Sequence, residues 1–517
     1  MITKPCSILL EGFPVLESGQ EAEISGIAVD SRRVKPGDVF VATSDRIDGH
    51  QFIPHAVENG AAAVIGTKGS AEIGKLSIPY YRVADARGAL AHISEEFYDH
   101  PADELVMIGV TGSDGKTTTV NMLYQILKAA GIKAGMVSTV NAVIGDQELD
   151  TGLHVTTPEV FEVQEYLRKM LDAGLTHVVL ETTSHGLAAR RVLGRNFDIG
   201  VVTNITHEHL DFHGNYDEYL KAKALLFEGL FAPKHKNIPV SPLAVLNRDD
   251  RSYQQLTDLT KAPQICYGLT SEADVWASDI VNTIERLKFT LNGPGFELPI
   301  ETEMIGNYNV ANILAAVSTA VSGLKIDPAT AQTGIRALTG VPGRMERISM
   351  GQDFLAIVDF AHTPFALEAV LKTARELTGK RVIAVFGSAG LRDKQKRRMM
   401  AEVSTELADL TILTAEDPRT ESLDGILEEM AAGAVSKGGV EGKTFFRIPD
   451  RVAAIRFAIQ QAQPGDLVYA LGKGHEQSMC FGEVEYDWDD RTAVRALLAE
   501  HLGIQGPPLP VLPTSKE

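Results

Sequence analysis

"VMIGVTGSDGKTTTVNMLYQILKAAG" occupies residues 106–131, and its reading decides what kind of sheet the chain builds. "VMIGV" is an apolar run of strand length, "TGSDGKTTT" is rich in Gly and small polar residues, and "TVNMLYQILKAAG" has helical spacing and stops at Gly131. Strand, Gly-rich turn and helix, in that order, let backbone N–H groups and a helix N-terminus hold phosphate oxygens. The usual spelling is Gly, four residues, then Gly-Lys-Ser/Thr. Counting back from Gly115, the first Gly would fall at position 110, where Val110 stands. Lys116 is nevertheless placed to reach the outer phosphates of a nucleotide, and the Thr117 hydroxyl to ligate Mg²⁺. The loop reads as a variant nucleotide site rather than a chance turn.

Working outward, apolar strand-like runs alternate with helical stretches from about 104 to 340: "THVVLETT", "DIGVVTNI" and "LAVLN" follow the opening loop. This alternation predicts a mostly parallel sheet with covering helices, hence an α/β protein. Residues 1–103 hold shorter β-rich runs such as "DVFVA" and "AAAVIG", and "FYDHPADEL" reads as a linker. After the turn "TGVPGR" a third block, 341–505, repeats the rhythm in "FLAIVDFA", "RVIAVFGS", "LTILTAEDP" and "DLVYALGKG". In each block the polar residues follow the strand, where open α/β sheets place their ligands. The Pro-rich tail, 506–517, is expected to be disordered.

The bulk numbers narrow the function. A chain of 517 residues exceeds one ordinary core. With 49 basic and 68 acidic side chains the formal charge is −19, which argues against nonspecific nucleic-acid binding while leaving room for a local anion site. Cys6, Cys266 and Cys480 match no metal-ligand spacing and are expected as buried free thiols in a reducing cytoplasm. No apolar run reaches membrane-spanning length.

The loop resembles the TGTNGKTT type of the Mur ligases. "AVDSRRVKPGDVFVA", "DGHQFI", "ETTSHGL", "NITHEHLDFHG", "GNYNVANILAA", "PGRME", "DFAHTP" and "GKGHE" follow in the family's order over nearly the whole chain. The resemblance implies three domains: an N-terminal UDP-sugar-binding domain (1–103), a central ATP-binding domain (104–340) and a C-terminal Rossmann-like domain taking an amino acid (341–505). It implies ATP-dependent amide formation on the D-glutamate of UDP-N-acetylmuramoyl-L-alanyl-D-glutamate, by a cytoplasmic monomer. An acyl phosphate forms and the amine of a diamino acid attacks it. A member acting on another acceptor is the related alternative. A nucleotide-binding regulatory module is the alternative of a different class, and it would not need an amino-acid pocket.

Site residues follow motif by motif. ATP contacts are implied for Gly112, Ser113, Asp114, Gly115, Lys116, Thr117 and Thr118, with Asn312 at the adenine, Arg344 at phosphate and Asp359 at the ribose. Glu181 ends an apolar strand, and by itself could be a solvated carboxylate; the resemblance makes it a magnesium ligand. His207, His209 and His213 crowd one segment, but their spacing and the lack of cysteines disfavour zinc. The resemblance gives His209 to a second Mg²⁺, leaving His207 and His213 as surface or supporting groups. In "YDEYLKAKALLF", spacing alone leaves Lys221 and Lys223 as solvated lysines on an amphipathic helix. The resemblance makes Lys223 the lysine that takes up CO₂ as a carbamate and serves the metal, with Lys221 as its control. A neutral amine becomes easier to reach on burial near a metal cluster. Ser31, Arg32, Thr156 and Thr157 resemble UDP-sugar contacts. Ser184 and Arg191 resemble contacts to the peptide and its carboxylate. Ala189 stands where the family often has Gln, and Arg190 is a candidate replacement.

Diaminopimelate-adding members carry Asp-Asn-Pro-Arg in the third domain. The matching residues here are Glu416, Asp417, Pro418 and Arg419, accompanied by Arg392, Gly472 and Glu476. Guanidinium groups clamp carboxylates. Asp417 in place of Asn would repel a distal substrate carboxylate and attract an ammonium. That tilts the expectation to lysine or ornithine, while Arg419 keeps diaminopimelate open.

Overall fold

The structure, a computed structural model, describes residues 2–44, 47–150, 157–193, 196–206, 210–231, 236 and 238–516. Thr156, His207 and His209 lie outside the described residues. Three large sheets follow one another along the chain.

The middle sheet has eleven strands, and Val106–Thr111 lies inside it between His177–Glu181 and Ile199–Val202, parallel to both. Parallel pairing extends from Ala134–Val137 across to Val275–Asn282, and antiparallel hairpins finish both ends. Strands covered on both faces need apolar side chains on both, and Val106, Met107, Ile108 and Val110 are all buried. Val110 is therefore strand, level with Glu181. The loop begins at Gly112, whose φ of 149° and whose contact with Thr203 Oγ1, 1.8 Å from where a Cβ would sit, exclude any other residue. The missing Gly at position 110 is explained: the loop starts two residues later than the common pattern.

The helix Lys116–Ala129 leaves the loop behind Gly115, at φ 83°, and buries Val120, Leu123, Ile126 and Leu127 on the sheet. The helix Tyr216–Gly229 is capped by Asn215, whose Oδ1 accepts from Glu218 N at 3.0 Å, with Asp217 and Glu218 in its first turn. Its inner face carries Tyr219, Leu220, Lys223, Leu226 and Phe227. Lys223 lies one turn beyond Tyr219 on that buried stripe, so it is 1% exposed rather than solvated as spacing suggests. Lys221 points outward and pairs with Glu218 at 2.8 Å.

The first sheet has five strands, parallel from Gly26–Ala28 to Tyr80–Val83, with Val15–Glu17 antiparallel at its edge. The third has six, parallel except for Glu346–Ile348. "FYDHPADEL" turns through Asp99 and His100, both at positive φ, into the short helix Pro101–Glu104. Residues 506–516 pack rather than trail, a correction to the disorder expected from composition. Leu512 is buried, and the Thr514 and Ser515 hydroxyls donate to Asp450 Oδ2 at 2.9 and 2.8 Å. The three cysteines are free and buried. Among the described residues no helix is long and apolar enough to cross a membrane.

Candidate active site

The carboxyl ends of the strands in the middle and third sheets face one cavity of about 1600 Å³, and residues of the first sheet's domain close its far side. Of the residues singled out in the sequence, the cavity is lined by Ser113 to Thr118, Glu181, Arg191, Asn312, Arg344, Asp359, Arg392, Asp417, Arg419, Gly472 and Glu476. Positions more than 300 residues apart in the chain thus share one space.

At the Gly-rich loop, Ser113 N and Asp114 N donate to Asn204 O and Oδ1 at 2.8 and 3.0 Å. Thr203 Oγ1 donates to the Asp114 carbonyl at 2.6 Å. The loop is thus braced from the next strand's end, a support with no signal in the loop's own spelling. Lys116 Nζ donates to the Ser113 carbonyl at 2.6 Å, within its own loop. Thr117 Oγ1 donates to Glu181 Oε2 at 3.0 Å, and Thr139 donates to both oxygens of Glu181 through its N–H and hydroxyl. Thr117 and Glu181 offer hard oxygen donors, the kind Mg²⁺ takes. Among the described residues no cluster of three His, Cys, Asp or Glu side chains stands ready for a metal. Thr139 escaped the sequence reading; its position just past the strand Ala134–Val137 was the available signal.

Lys223 Nζ donates to the Gly112 carbonyl at 2.7 Å and lies 4.6 Å from the centre of the Tyr219 ring. Tyr219 OH in turn is 2.9 Å from Ser113 Oγ. The lysine does not line the cavity; it sits directly under the loop.

Arg344 crosses from the third block. Its Nη2 donates to Thr117 Oγ1 at 3.3 Å, and its guanidinium lies 4.3 Å from the centre of the Phe360 ring. Asp359 accepts from Met345 N at 2.6 Å and Ala361 N at 2.8 Å. Burial pushes its carboxyl up, partly offset by the Arg344 charge. Asn312 is buried beside the loop, with Nδ2 donating to Asn309 Oδ1 at 3.0 Å. Asn309 spends its own amide on the Ile305 carbonyl.

Toward the first domain, Arg191 donates to the Thr157 carbonyl at 3.1 Å and pairs with Glu159 at 2.9 Å, which Arg87 also holds at 2.8 Å. Ser184 Oγ lies 3.0 Å from His213 Nε2, so His213 supports this wall. Arg190 turns away to Asp85 and lies outside the cavity lining. Ser31, Arg32, Thr157, Ser184 and Gly112 do not line the cavity either. Ser31 is buried against His55 and Asn59, and Arg32 is exposed on Asp30. From that block Val29, Thr43, Ile47, Gly49, Phe52 and Arg87 reach the space, and none of them was singled out as a site residue from the sequence.

In the third block, Glu416 is buried, with Oε2 lacking a hydrogen-bond partner among the described residues, and burial pushes its carboxyl up against the pull of Lys396 and Arg451. A Cβ on Gly472 would stand 2.2 Å from that oxygen. Asp417 is not a free carboxylate. Lys473 Nζ donates to its two oxygens at 3.0 and 3.1 Å, and Cys480 N donates to Oδ1 at 2.9 Å. Burial alone would lower the Lys473 pKa, but the charges of Glu476 and Asp417 outweigh it and hold the ammonium. Arg419 donates to the Gly390 carbonyl at 3.1 Å.

Comparison with known proteins accords with this geometry. Three family models match in order: Mur ligase family, catalytic domain, at 23–98; Mur ligase middle domain at 110–320; and Mur ligase, glutamate ligase domain, at 343–474. The chain is 43% identical over 492 residues to a UDP-N-acetylmuramyl-tripeptide synthetase of Roseiflexus sp. (strain RS-1), covering 94% of this chain and 96% of that one. It is 39% identical over 493 residues to a UDP-N-acetylmuramoyl-L-alanyl-D-glutamate–2,6-diaminopimelate ligase of Geobacillus thermodenitrificans (strain NG80-2), covering 95% and 98%. A solved structure of a UDP-N-acetylmuramoyl-L-alanyl-D-glutamate–2,6-diaminopimelate ligase superposes with a TM-score of 0.61 at 30% identity, covering 92% of this chain and 95% of that one. The chain belongs to the Mur ligase family and is an ATP-dependent ligase that adds a residue in peptidoglycan precursor synthesis.

Proposed function

We propose that this ligase joins a diamino acid to the D-glutamate carboxylate of UDP-N-acetylmuramoyl-L-alanyl-D-glutamate. The observation that carries the reading is the shared cavity, which the Gly-rich loop, Arg191, Asp417 and Arg419 line together. The D-glutamate carboxylate attacks the γ-phosphoryl group of ATP, releasing ADP and leaving an acyl phosphate. The incoming amine then attacks the acyl carbon and phosphate departs. Lys116 and Arg344 stabilise the negative charge that moves onto the phosphate oxygens. Asp359 and Asn312 hold the nucleoside end, and Arg191 steadies the acceptor. Thr117, Glu181, His209 and a carbamylated Lys223 would hold Mg²⁺, which when bound neutralises phosphate charge.

Lysine and ornithine are the first candidates for the added residue, because Asp417 and Glu476 together outnumber the single ammonium between them. Diaminopimelate is the second reading, and a specific observation favours it: Lys473 offsets the Asp417 charge, and Arg419 lines the same cavity. The test is phosphate release from ATP with the UDP-linked dipeptide and lysine, ornithine or meso-diaminopimelate. Release that needs both acceptor and amino acid is expected, and release indifferent to either one would refute the ligase assignment.

A further inference from the structure

Lys473 follows the strand Leu467–Leu471, and its side chain is fully buried. Its Nζ donates to both Asp417 oxygens and lies 2.6 Å from Glu476 Oε2. Asp417 and Glu476 line the cavity, whereas Lys473 stands behind them and does not. Beside Glu416, Arg392, Lys396 and Arg419, the pocket wall therefore presents Asp417 and Glu476, a pair of carboxylates backed by one hidden ammonium. The arrangement is held under strain: Asp417 and Arg419 take φ of 40° and 54° on either side of Pro418. The strained turn is tied to the next hairpin, with Cys480 N on Asp417 Oδ1 and Arg419 N on Cys480 O at 3.1 Å.

We propose that Lys473 is a specificity-determining positioning residue: its ammonium, shared between Asp417 and Glu476, orients both carboxylates and offsets one of their charges, so that the wall tolerates an amino acid bearing a distal carboxylate. Each fixed charge acts on the ligand through its own potential, and without Lys473 both carboxylates lose the one cation bonded to them, leaving Arg392, Lys396 and Arg419 among the cations that line the same cavity. The inference rests on the amino-acid pocket assigned above.

The readout is the ratio of kcat/KM for meso-diaminopimelate to that for lysine in the full-length enzyme, with ATP and the UDP-linked dipeptide saturating. Where one amino acid turns over slowly, its inhibition constant replaces its KM. Lys473→Met lowers the ratio about tenfold, chiefly through the diaminopimelate KM, and leaves the KM for ATP unchanged. Asp417→Asn raises the ratio. Adding Lys473→Met to Asp417→Asn brings it back down by a similar factor, a comparison that avoids stranding two carboxylates should the single lysine variant fail to fold. Equal ratios for Asp417→Asn with and without Lys473→Met would overturn the proposal, as would a loss shared equally by both amino acids. A wild-type enzyme inactive with every diamino acid refutes the assigned reaction instead; an active one with an unmoved ratio refutes only the role of Lys473.

Discussion

Lys221 and Lys223 sit two residues apart on one helix and have opposite fates. Lys221 is solvated and paired with Glu218 at 2.8 Å, whereas Lys223 is buried with its Nζ on the Gly112 carbonyl. On the proposed function, a buried amine directly under the Gly-rich loop serves catalysis and an exposed one does not. Lys223→Ala is expected to lower kcat by about 100-fold or more, the scale of losing one group that serves the transition state. Lys221→Ala is expected to stay within about twofold, as surface changes do. Parallel phosphate-release assays check the pair, and equal effects would refute the distinction. Spacing could not separate these lysines because both fit an amphipathic helix. The buried stripe running through Tyr219 and Phe227 separates them.

At the scale of elements, the third sheet's loops are aligned by a buried ion pair. Arg451 opens the helix Arg451–Gln461 and pairs with Asp490 at 2.6 Å, both side chains fully buried. Its remaining N–H groups reach the Ala415 carbonyl at 3.1 Å and the Leu471 carbonyl at 2.8 Å, the residues just before Glu416 and Gly472. One guanidinium thereby fixes the spacing of two strand ends that lead into the wall proposed for the amino acid. Arg451→Met strands Asp490 and is expected to cost about 3–5 kcal/mol of stability, with a higher KM for the amino acid. Arg451→Met combined with Asp490→Leu recovers part of the stability but not the KM, because the two carbonyls stay unbraced. Denaturant midpoints and amino-acid KM values measure the two effects separately. The strands themselves were legible as apolar runs, but neither Arg451 nor Asp490 belongs to a motif that pointed to this bridge.

Across the whole molecule, the cavity walls expose large apolar side chains: Ile47, Phe52, Phe212, Phe365 and Met399 all line it and are between 41% and 62% exposed. Apolar surface of this kind, set around the polar Gly-rich loop, would be covered if the walls approached a bound substrate. A nonhydrolysable ATP analogue together with the UDP-linked dipeptide is expected to reduce the radius of gyration measured by small-angle X-ray scattering. An unchanged radius with both ligands bound would rule out closure.

The sequence by itself determined the local chemistry: the strand–loop–helix at Val106–Ala129, the alternation that builds parallel sheets, and the motifs whose side chains line the cavity. These are legible because hydrophobic period and Gly placement act over a few residues. Tertiary structure decided the environment of each charge. It buried Lys223, seated the Pro-rich tail on Asp450, and set Lys473 against Asp417, 56 residues away in the chain. A carboxylate's effect depends on which cation the fold brings within hydrogen-bonding distance, and that neighbour is fixed by sheet order and loop geometry rather than by proximity along the chain.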